Sequence, residues 1–310
     1  MRAAALCRIV LGLWLGLALS LAVALPATAQ RPLAITFDDL PATGPNVPGE
    51  TRMEVASKII AALTAAHVPP IWGFVNGVSL TADSTADKVL PAWRAAGFPL
   101  GNHTFSHIDL NAMPEAAFEA DVLKNEPILQ AQMGAQDWRW LRFPYLSDGD
   151  TPEKHAAARA FLHAHGYRVA AVTMDFDDFA FDDPYARCLA KGDQTAIARL
   201  EQAYLQAAAN AADYSRLLST STVGREIPYV LLMHIGHIDA QVLPKLLAQY
   251  RAEGFTFVPL EEAMRDPFYA ADYDLASPAA TDNLATAMAQ HGKRVPPEKT
   301  DLRWLDSLCL

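Results

Sequence analysis

Seven short runs of apolar, β-branched and aromatic residues recur along the chain, each followed by a more polar stretch. Runs of this length are typical of strands buried on both faces, and they cover residues 33–37, 71–75, 98–101, 139–143, 167–173, 229–234 and 255–260. Longer segments with helical periodicity separate several of them, namely 52–66, 114–133, 153–165, 193–215 and 240–253. The alternation predicts right-handed strand–helix–strand units in a parallel α/β sheet or barrel.

The first 29 residues have a different pattern from the rest. Arg2 and Arg8 precede a long apolar run, and Ala27-Thr28-Ala29 has the small-x-small form of a signal peptidase site. We interpret residues 1–29 as a cleaved secretory signal, which predicts an exported protein, periplasmic or secreted, with no stable membrane insertion after cleavage. The alternative, an uncleaved membrane anchor, is disfavoured by that cleavage pattern.

Composition narrows the class of protein. Hydrophobic residues make up 51% of the 310 residues, so a large core is easily built, and we expect one domain with additions. The formal net charge is −10, and the loss of the two arginines in the signal would make it −12. An acidic chain without a basic run argues against nucleic acid as a partner, because such binding depends on Lys and Arg.

Three cysteines are present, and Cys7 would leave with the signal. Cys188 and Cys309 then remain, either as a disulfide formed in an oxidising compartment or as two buried thiols. This number is too small for a thiolate metal site.

Two adjacent carboxylates, Asp38 and Asp39, end the first predicted strand in ITFDDLP. The carboxyl ends of strands are where parallel α/β folds place their chemistry. Like charges side by side are costly unless a cation neutralises them or one carboxyl holds a proton. A metal bound by one Asp would leave the other as a base, whereas a surface pair or a helix N-cap is the more common reason for an isolated pair.

Two histidines, His103 and His107, stand four residues apart in NHTFSH. On a helical turn this spacing puts both imidazoles on one face. Neutral imidazole suits zinc, and two His with one carboxylate leave positions open for water and substrate. The pair alone is more typical of structural histidines; it indicates a metal site only with Asp39 as the third ligand.

Arg142 and Tyr145 follow the fourth predicted strand in LRFPYLSDG. The planar guanidinium of Arg142 is suited to holding a carboxylate, and the backbone N–H of Tyr145 to facing a developing oxyanion. The same stretch is equally typical of an ordinary exit from a strand into a loop.

An acidic and aromatic segment, TMDFDDFAFDDP, follows the fifth predicted strand. A carboxylate there is able to orient a histidine and raise its pKa. Phe179 and Phe181 are candidates either for a sugar-binding groove or for the core. We expect the following acidic residues to lie in a solvated loop: Asp177, Asp182 and Asp183.

His234 ends the sixth predicted strand in VLLMHIGHID, and Leu232 lies two residues earlier on the same face. Histidine exchanges its proton near neutral pH, so His234 fits the protonation of an amine leaving group. We expect His237 either behind the site or at the surface.

Taken in order, the five segments TFDD, HTFSH, RFPY, DFDDF and LMH resemble the motifs of the polysaccharide deacetylase family, also called NodB-homology or carbohydrate esterase family 4. The resemblance runs from about Leu33 to about Leu260. It implies a deformed (β/α)7 barrel of the NodB type, with residues 30–260 as the catalytic domain. Residues 261–310 would form a C-terminal helical extension that caps the barrel.

The resemblance also implies a role for each motif residue. Asp39, His103 and His107 would bind a divalent metal, usually zinc, with cobalt or another divalent ion as an alternative. Asp38 would be the general base, held by Arg142, and His234 the general acid, oriented by Asp178. The Tyr145 amide would stabilise the oxyanion, and Leu232 would line the acetyl pocket. Phe179 would form an aromatic wall at a position where the family usually has tryptophan.

The function implied is hydrolysis of N-acetyl groups on an N-acetylated glycan such as a chitooligosaccharide or peptidoglycan, with release of acetate. An alternative keeps the site but changes the substrate to an O-acetyl ester or a non-carbohydrate amide. A third hypothesis is a secreted glycan-binding protein without catalysis, which a complete set of base, ligands and acid disfavours.

Overall fold

Seven parallel strands form one curled sheet in a computed structural model of the chain, which describes residues 31–277 and 283–310. The deformed (β/α)7 barrel expected from the sequence is confirmed, whereas the predicted signal at 1–29 lies outside the described residues. The strands are β1 Arg31–Leu40, β2 Trp72–Val75, β3 Leu100–Asn102, β4 Trp140–Leu141, β5 Arg168–Val169, β6 Tyr229–His234 and β7 Phe255–Phe257.

The strand order is β5-β4-β3-β2-β1-β6, and β7 pairs with the first three residues of β1. The chain after β5 then turns toward β6: the Thr173 and Met174 amides both donate to the carbonyl of Val230, at 3.1 and 3.0 Å. This contact brings the two ends of the sheet together and curls it into a barrel. Because every strand pair is parallel, the carboxyl ends of the strands share one rim.

Helices connect the strands, and five of them, α1, α3, α4, α6 and α7, lie where the periodicity predicts a helix. The other two helices between strands, α2 and α5, were not predicted; α2 buries Trp93 against Phe37, with ring centroids 5.6 Å apart. Helix α6 runs eight residues past its predicted end because buried Leu218 continues its apolar face, and it ends at Val223, before the left-handed Gly224. The helices are α1 Arg52–Ala65, α2 Val89–Ala95, α3 Glu115–Met133, α4 Pro152–Ala164, α5 Asp182–Lys191, α6 Gln194–Val223, α7 His237–Ala252, α8 Leu260–Ala263, α9 Ala270–Tyr273 and α10 Leu284–Gln290.

The core lies on both faces of the sheet, which explains why the strand segments are apolar without alternation. Every residue of β6 is buried, and β1 is buried from Leu33 to Asp38. The largest buried side chains include Trp93, Trp140 and Phe74. Burial of such side chains contributes about 2–3 kcal/mol each, so strongly packed strands hold the rim in place.

Beyond β7, the described part of the chain forms three short helices and two 3-10 turns, Pro267–Tyr269 and Arg303–Ser307. Of the two alternatives for the cysteines, the structure has the disulfide: Cys188 in α5 is bonded to Cys309, 121 positions later in the sequence, with a Cα–Cα distance of 5.2 Å. Arg187 reinforces the attachment by donating to the carbonyls of Leu305 and Leu308. The boundary of the catalytic domain at residue 260 stays a prediction.

In the two described ranges, none of the helices combines the length and the apolar character needed to cross a membrane.

Candidate active site

An open cavity of about 490 Å³ lies at the carboxyl rim of the barrel. Its wall contains seven of the ten residues that the sequence singled out: Asp38, Asp39, His107, Tyr145, Phe179, Leu232 and His234. The other three, His103, Arg142 and Asp178, are buried and contact residues of the wall. The rim therefore brings all ten together in one site.

The register of two neighbouring strands sets the opposite sides of this cavity. Asp38 in β1 pairs with His234 in β6, and Thr36 pairs with Leu232. Paired residues in adjacent parallel strands lie about 4.8 Å apart and on the same face. Asp38 and His234 thus face the cavity at the same height, although 196 positions separate them in the chain.

Several residues around the cavity have left-handed backbone conformations. Positive φ angles occur at Asp39 (61°), Thr104 (60°), His107 (56°), Tyr145 (57°) and Asp177 (55°). For residues other than glycine this conformation is uncommon and costs roughly 1–3 kcal/mol. Five such left-handed residues lie at one rim. The surrounding structure therefore holds their side chains in orientations that the backbone preferences of these residues would not favour.

Asp39, His103 and His107 form a three-residue cluster suited to a metal ion. The Nε2 atoms of both histidines lie 3.4 Å from Oδ1 of Asp39. In a tetrahedral zinc site with bonds of about 2.1 Å, ligand atoms stand about 3.4 Å apart. The two spacings between Asp39 and the histidines therefore match a tetrahedral centre with one or more open positions, and all three donor atoms lie within 4.8 Å of one another.

The protonation and the hydrogen bonds of this cluster also suit a metal. Nδ1 of His103 lies 2.8 Å from the carbonyl oxygen of Arg142; since a carbonyl only accepts, Nδ1 carries the proton and Nε2 keeps its lone pair. Burial lowers the pKa of His103 to about 3, so the ring is neutral. Oδ1 of Asp39 is buried and accepts no hydrogen bond within the described ranges, and a cation would satisfy it.

Asp38 has a different environment from its neighbour Asp39. It is 2% exposed, and both of its carboxylate oxygens lie 3.2 Å from Nη1 of Arg142. Burial raises the pKa of Asp38, and the charge of Arg142 opposes that rise. Arg142 is itself fixed, because its Nε donates to the carbonyl of Ala170 at 2.6 Å and its Nη2 to Oγ1 of Thr36 at 3.0 Å.

His234 is held by Asp178 on the opposite side of the cavity. Its Nδ1 lies 2.7 Å from Oδ1 of Asp178, and its backbone amide donates to Oδ2 at 2.6 Å. Burial alone would lower the pKa of His234, but the carboxylates of Asp178, Asp39 and Asp38 outweigh it and hold the pKa well above its usual value. A protonated imidazole with Nδ1 occupied has Nε2 available as a proton donor.

The remaining wall is apolar and aromatic. Leu232 lines the cavity floor and is 5% exposed. The ring of Tyr145 packs edge-on against His107 at 4.4 Å, and the ring of Phe179 against His234 at 5.3 Å. Phe179 lies in the groove, whereas Phe181 is fully buried and belongs to the core.

One prediction about the acidic segment is wrong. Asp182 is 2% exposed rather than solvated, because it begins α5 and packs between Gly44 and Gly236. Burial raises its pKa to about 7. Asp177 and Asp183 are exposed as expected.

Behind the site, His237 is buried and its Nδ1 is hydrogen-bonded to Glu50.

The sequence analysis assigned no role to three residues at the site. Thr36 accepts from Arg142, Thr43 donates to Asp39, and Asp175 lines the cavity with a pKa that burial raises to about 7. The position of Thr36, two residues before Asp38 on the same strand face, was the available signal.

Comparison with known proteins extends these observations. A family model described as polysaccharide deacetylase matches residues 26–170. A chitin deacetylase of Pestalotiopsis sp is 26% identical over 156 residues, which is 50% of this chain and 46% of that protein. The chain thus matches about half the length of this curated relative, and the family model covers the motifs with the metal cluster.

Solved structures share the fold over a longer range. A chitin deacetylase from the fungal pathogen Colletotrichum lindemuthianum aligns with a TM-score of 0.52 and 21% identity, over 77% of this chain and 89% of the other. A carbohydrate esterase family 4 pseudoenzyme from Bacillus anthracis aligns with a TM-score of 0.51 and 17% identity, over 77% and 66%. The barrel is therefore the fold found in these family 4 structures, and residues 26–170 are similar in sequence to the polysaccharide deacetylase family.

Proposed function

We propose that the protein is an exported, metal-dependent hydrolase that removes N-acetyl groups from an N-acetylated glycan and releases acetate. The observation that carries the proposal is the three-ligand cluster of Asp39, His103 and His107, flanked by a buried carboxylate, Asp38, and a buried imidazolium, His234. Export is supported by the signal-like sequence of residues 1–29.

The donor set of one carboxylate and two neutral imidazoles fits a divalent metal, and we propose zinc. When bound there, such a metal supplies two kinds of chemistry: it acidifies a water, to a pKa of about 7, and it polarises the acyl carbonyl.

Asp38 is then the base. Its carboxylate takes a proton from water while the water oxygen forms a bond to the acyl carbon. Arg142 keeps this carboxylate in place and favours its charged form: the two hydrogen bonds at 3.2 Å fix its orientation, and the positive charge opposes the effect of burial on its pKa.

His234 is the acid that completes the reaction. Its Nε2 gives a proton to the amine nitrogen as the carbon–nitrogen bond breaks, which yields acetate and a free amino sugar. Asp178 holds the imidazole at Nδ1 and stabilises its protonated form. The Tyr145 amide would stabilise the oxyanion, and Leu232 would contact the acetyl methyl group.

The substrate class is supported by the relatives, since two of them are chitin deacetylases. Family 4 folds also include a pseudoenzyme, so fold alone does not establish catalysis. The presence here of base, acid, both supporting residues and three ligand atoms favours an enzyme over a binding protein.

Acetate release from chitooligosaccharides, peptidoglycan fragments and acetylated xylan tests the proposal, with zinc-loaded protein and with His107→Ala as the matched control. We expect acetate from an N-acetylated substrate with the parent protein and none with the control. Release from acetylated xylan alone would change the substrate to an O-acetyl ester. No release from any of the three by protein that holds zinc would overturn the proposal.

A further inference from the structure

We propose that Thr43 and Arg52 are positioning residues of the metal centre: Thr43 orients the Asp39 carboxylate, and Arg52 holds the loop that carries Thr43. The inference rests on the proposed metal-dependent function and extends it to residues outside the five motifs. We refer to residues 39–44 as the ligand loop.

Thr43 contacts the carboxylate that the histidines share. Its Oγ1 donates to Oδ2 of Asp39 at 3.2 Å, while Oδ1 of the same carboxylate lies 3.4 Å from Nε2 of both His103 and His107. The two oxygens of Asp39 thus have different partners. The hydrogen bond to Oδ2 restricts rotation of the carboxylate and keeps Oδ1 directed at the two histidine nitrogens.

The ligand loop needs support beyond its own sequence. Asp39 has a left-handed backbone, with φ 61°, which a non-glycine residue keeps only when its surroundings hold it. The first half of the loop is held by the Ala42 amide, which donates to the Asp39 carbonyl at 2.8 Å, and by the Asn76 amide, which donates to the Leu40 carbonyl at 2.9 Å. Neither of these bonds reaches Thr43.

Arg52 holds the second half of the ligand loop. Its Nη1 donates to the carbonyl of Thr43 and its Nη2 to the carbonyl of Gly44, each at 2.5 Å. Arg52 is the first residue of α1 and is 4% exposed, so this fork is pre-formed in the protein interior. A planar guanidinium is suited to binding two consecutive carbonyls in this way, and an ammonium is not.

Asp182 packs against the same loop at Gly44. A Cβ built on Gly44 would lie 2.8 Å from Oδ2 of Asp182, and one built on Gly236 would lie 2.3 Å from it. In its ionised form Asp182 also favours the charged guanidinium of Arg52. The second half of the loop is therefore contacted both by a guanidinium and by a carboxyl group, which supports the position of Thr43 beside Asp39.

Zinc affinity measured by competition with a chelator tests the role of Thr43. Thr43→Val replaces the hydroxyl with a methyl group at constant volume, and we expect zinc to bind about tenfold more weakly, as for other residues that support a metal ligand. Thr43→Ser keeps the hydroxyl and should restore affinity to within about twofold of the parent protein. Thermal unfolding of the metal-free variants verifies that each one folds.

Arg52 is tested with Arg52→Lys, which keeps the charge but not the two-carbonyl fork. We again expect about tenfold weaker zinc binding. Arg94→Lys is the matched control, because Arg94 also donates to a backbone carbonyl, that of Phe98, but contacts no residue of the ligand loop within the described ranges. The double variant Thr43→Val with Arg52→Lys should bind zinc no more weakly than Thr43→Val alone, since Arg52 acts through Thr43.

The outcomes separate this inference from the proposed function. If the parent protein binds no zinc, the proposed function fails and the inference fails with it. If the parent protein binds zinc and Thr43→Val binds it equally well, the role of Thr43 and that of Arg52, which acts through it, are both overturned, while the proposed function stands. Additive losses in the double variant, about a hundredfold in total, would show that Arg52 acts independently of Thr43 and would overturn its assignment.

Discussion

The two sides of the cavity are built in different ways. On the metal side, Asp39 and His107 have left-handed backbones, and the buried Oδ1 of Asp39 accepts no hydrogen bond in the part of the chain that the structure describes. On the acid side, both oxygens of Asp178 accept from His234. The metal side is therefore arranged to receive a cation, whereas the acid side is a complete ion pair. Loss of a residue should affect metal binding on the first side and proton transfer on the second.

The largest effect is expected on the metal side. Asp39→Ala or His107→Ala removes one of three ligands, so metal content should fall from about one zinc per chain to near zero. Acetate release should fall by roughly 1,000-fold or more, since the metal contributes several kcal/mol to the reaction. Elemental analysis of the purified variants checks the first result; full zinc content in both would refute the ligand assignment.

Asp38 lies between the two sides, and Asp38→Asn should reduce acetate release without reducing zinc binding. The amide keeps the shape of Asp38 but does not take a proton, so we expect acetate release to fall by about 100- to 10,000-fold. Zinc content should stay near one per chain, because the three ligand atoms are unchanged. Parallel metal analysis and rate measurement are needed, and an unchanged rate would exclude Asp38 as the base.

Asp178→Asn tests the acid side through pH dependence. The Asp178 carboxylate stabilises the imidazolium of His234, so its neutralisation lowers that pKa and reduces the protonated fraction as pH rises. We expect the alkaline limb of the pH–rate profile to move down by roughly 1–3 pH units, with zinc content unchanged. Asp177→Asn, an exposed neighbour, is the control; an equal shift in both variants would contradict a specific role for Asp178.

The smallest effect on activity is expected from the disulfide. Cys188 lies in α5, which begins directly after Asp178–Phe181, so loss of the bond should loosen the acid side and leave the metal side intact. For Cys188→Ala with Cys309→Ala we expect about 2–5 kcal/mol less stability, measured by denaturant unfolding, and unchanged zinc affinity. A thiol count on the non-reduced parent protein should find no free thiol in the mature chain.

Much of this barrel could be predicted from sequence because its strands are buried on both faces. Continuous apolar runs identified all seven strands, and polar residues at their ends identified the rim. The predicted strand at 98–101 still began two residues early, at Phe98, because Phe98 packs against Trp93 of α2 instead of pairing in the sheet. Apolar core residues next to a strand resemble the residues of the strand itself, so a hydrophobic pattern does not mark where the strand begins.

The support of the site was less predictable. Asp182 had the composition of a surface loop, and its burial depends on Gly44 and Gly236, which are distant in sequence. Thr43 and Arg52 belong to no motif, and their contacts arise only when the ligand loop folds back onto α1. Buried polar residues of this kind are specified by partners far away in the chain, which a pattern of hydrophobicity does not reveal.

The pairing of Asp38 with His234 across β1 and β6 has a consequence for how this protein can evolve. An insertion of one residue in either strand would move every later side chain of that strand to the opposite face, and base and acid would no longer meet. Insertions in the loops leave this pairing intact. We therefore expect insertions and deletions among homologues to be absent from 31–40 and 229–234 and to occur in the loops between strands. Substrate specificity would then change through the loops, while the two strands keep a constant length.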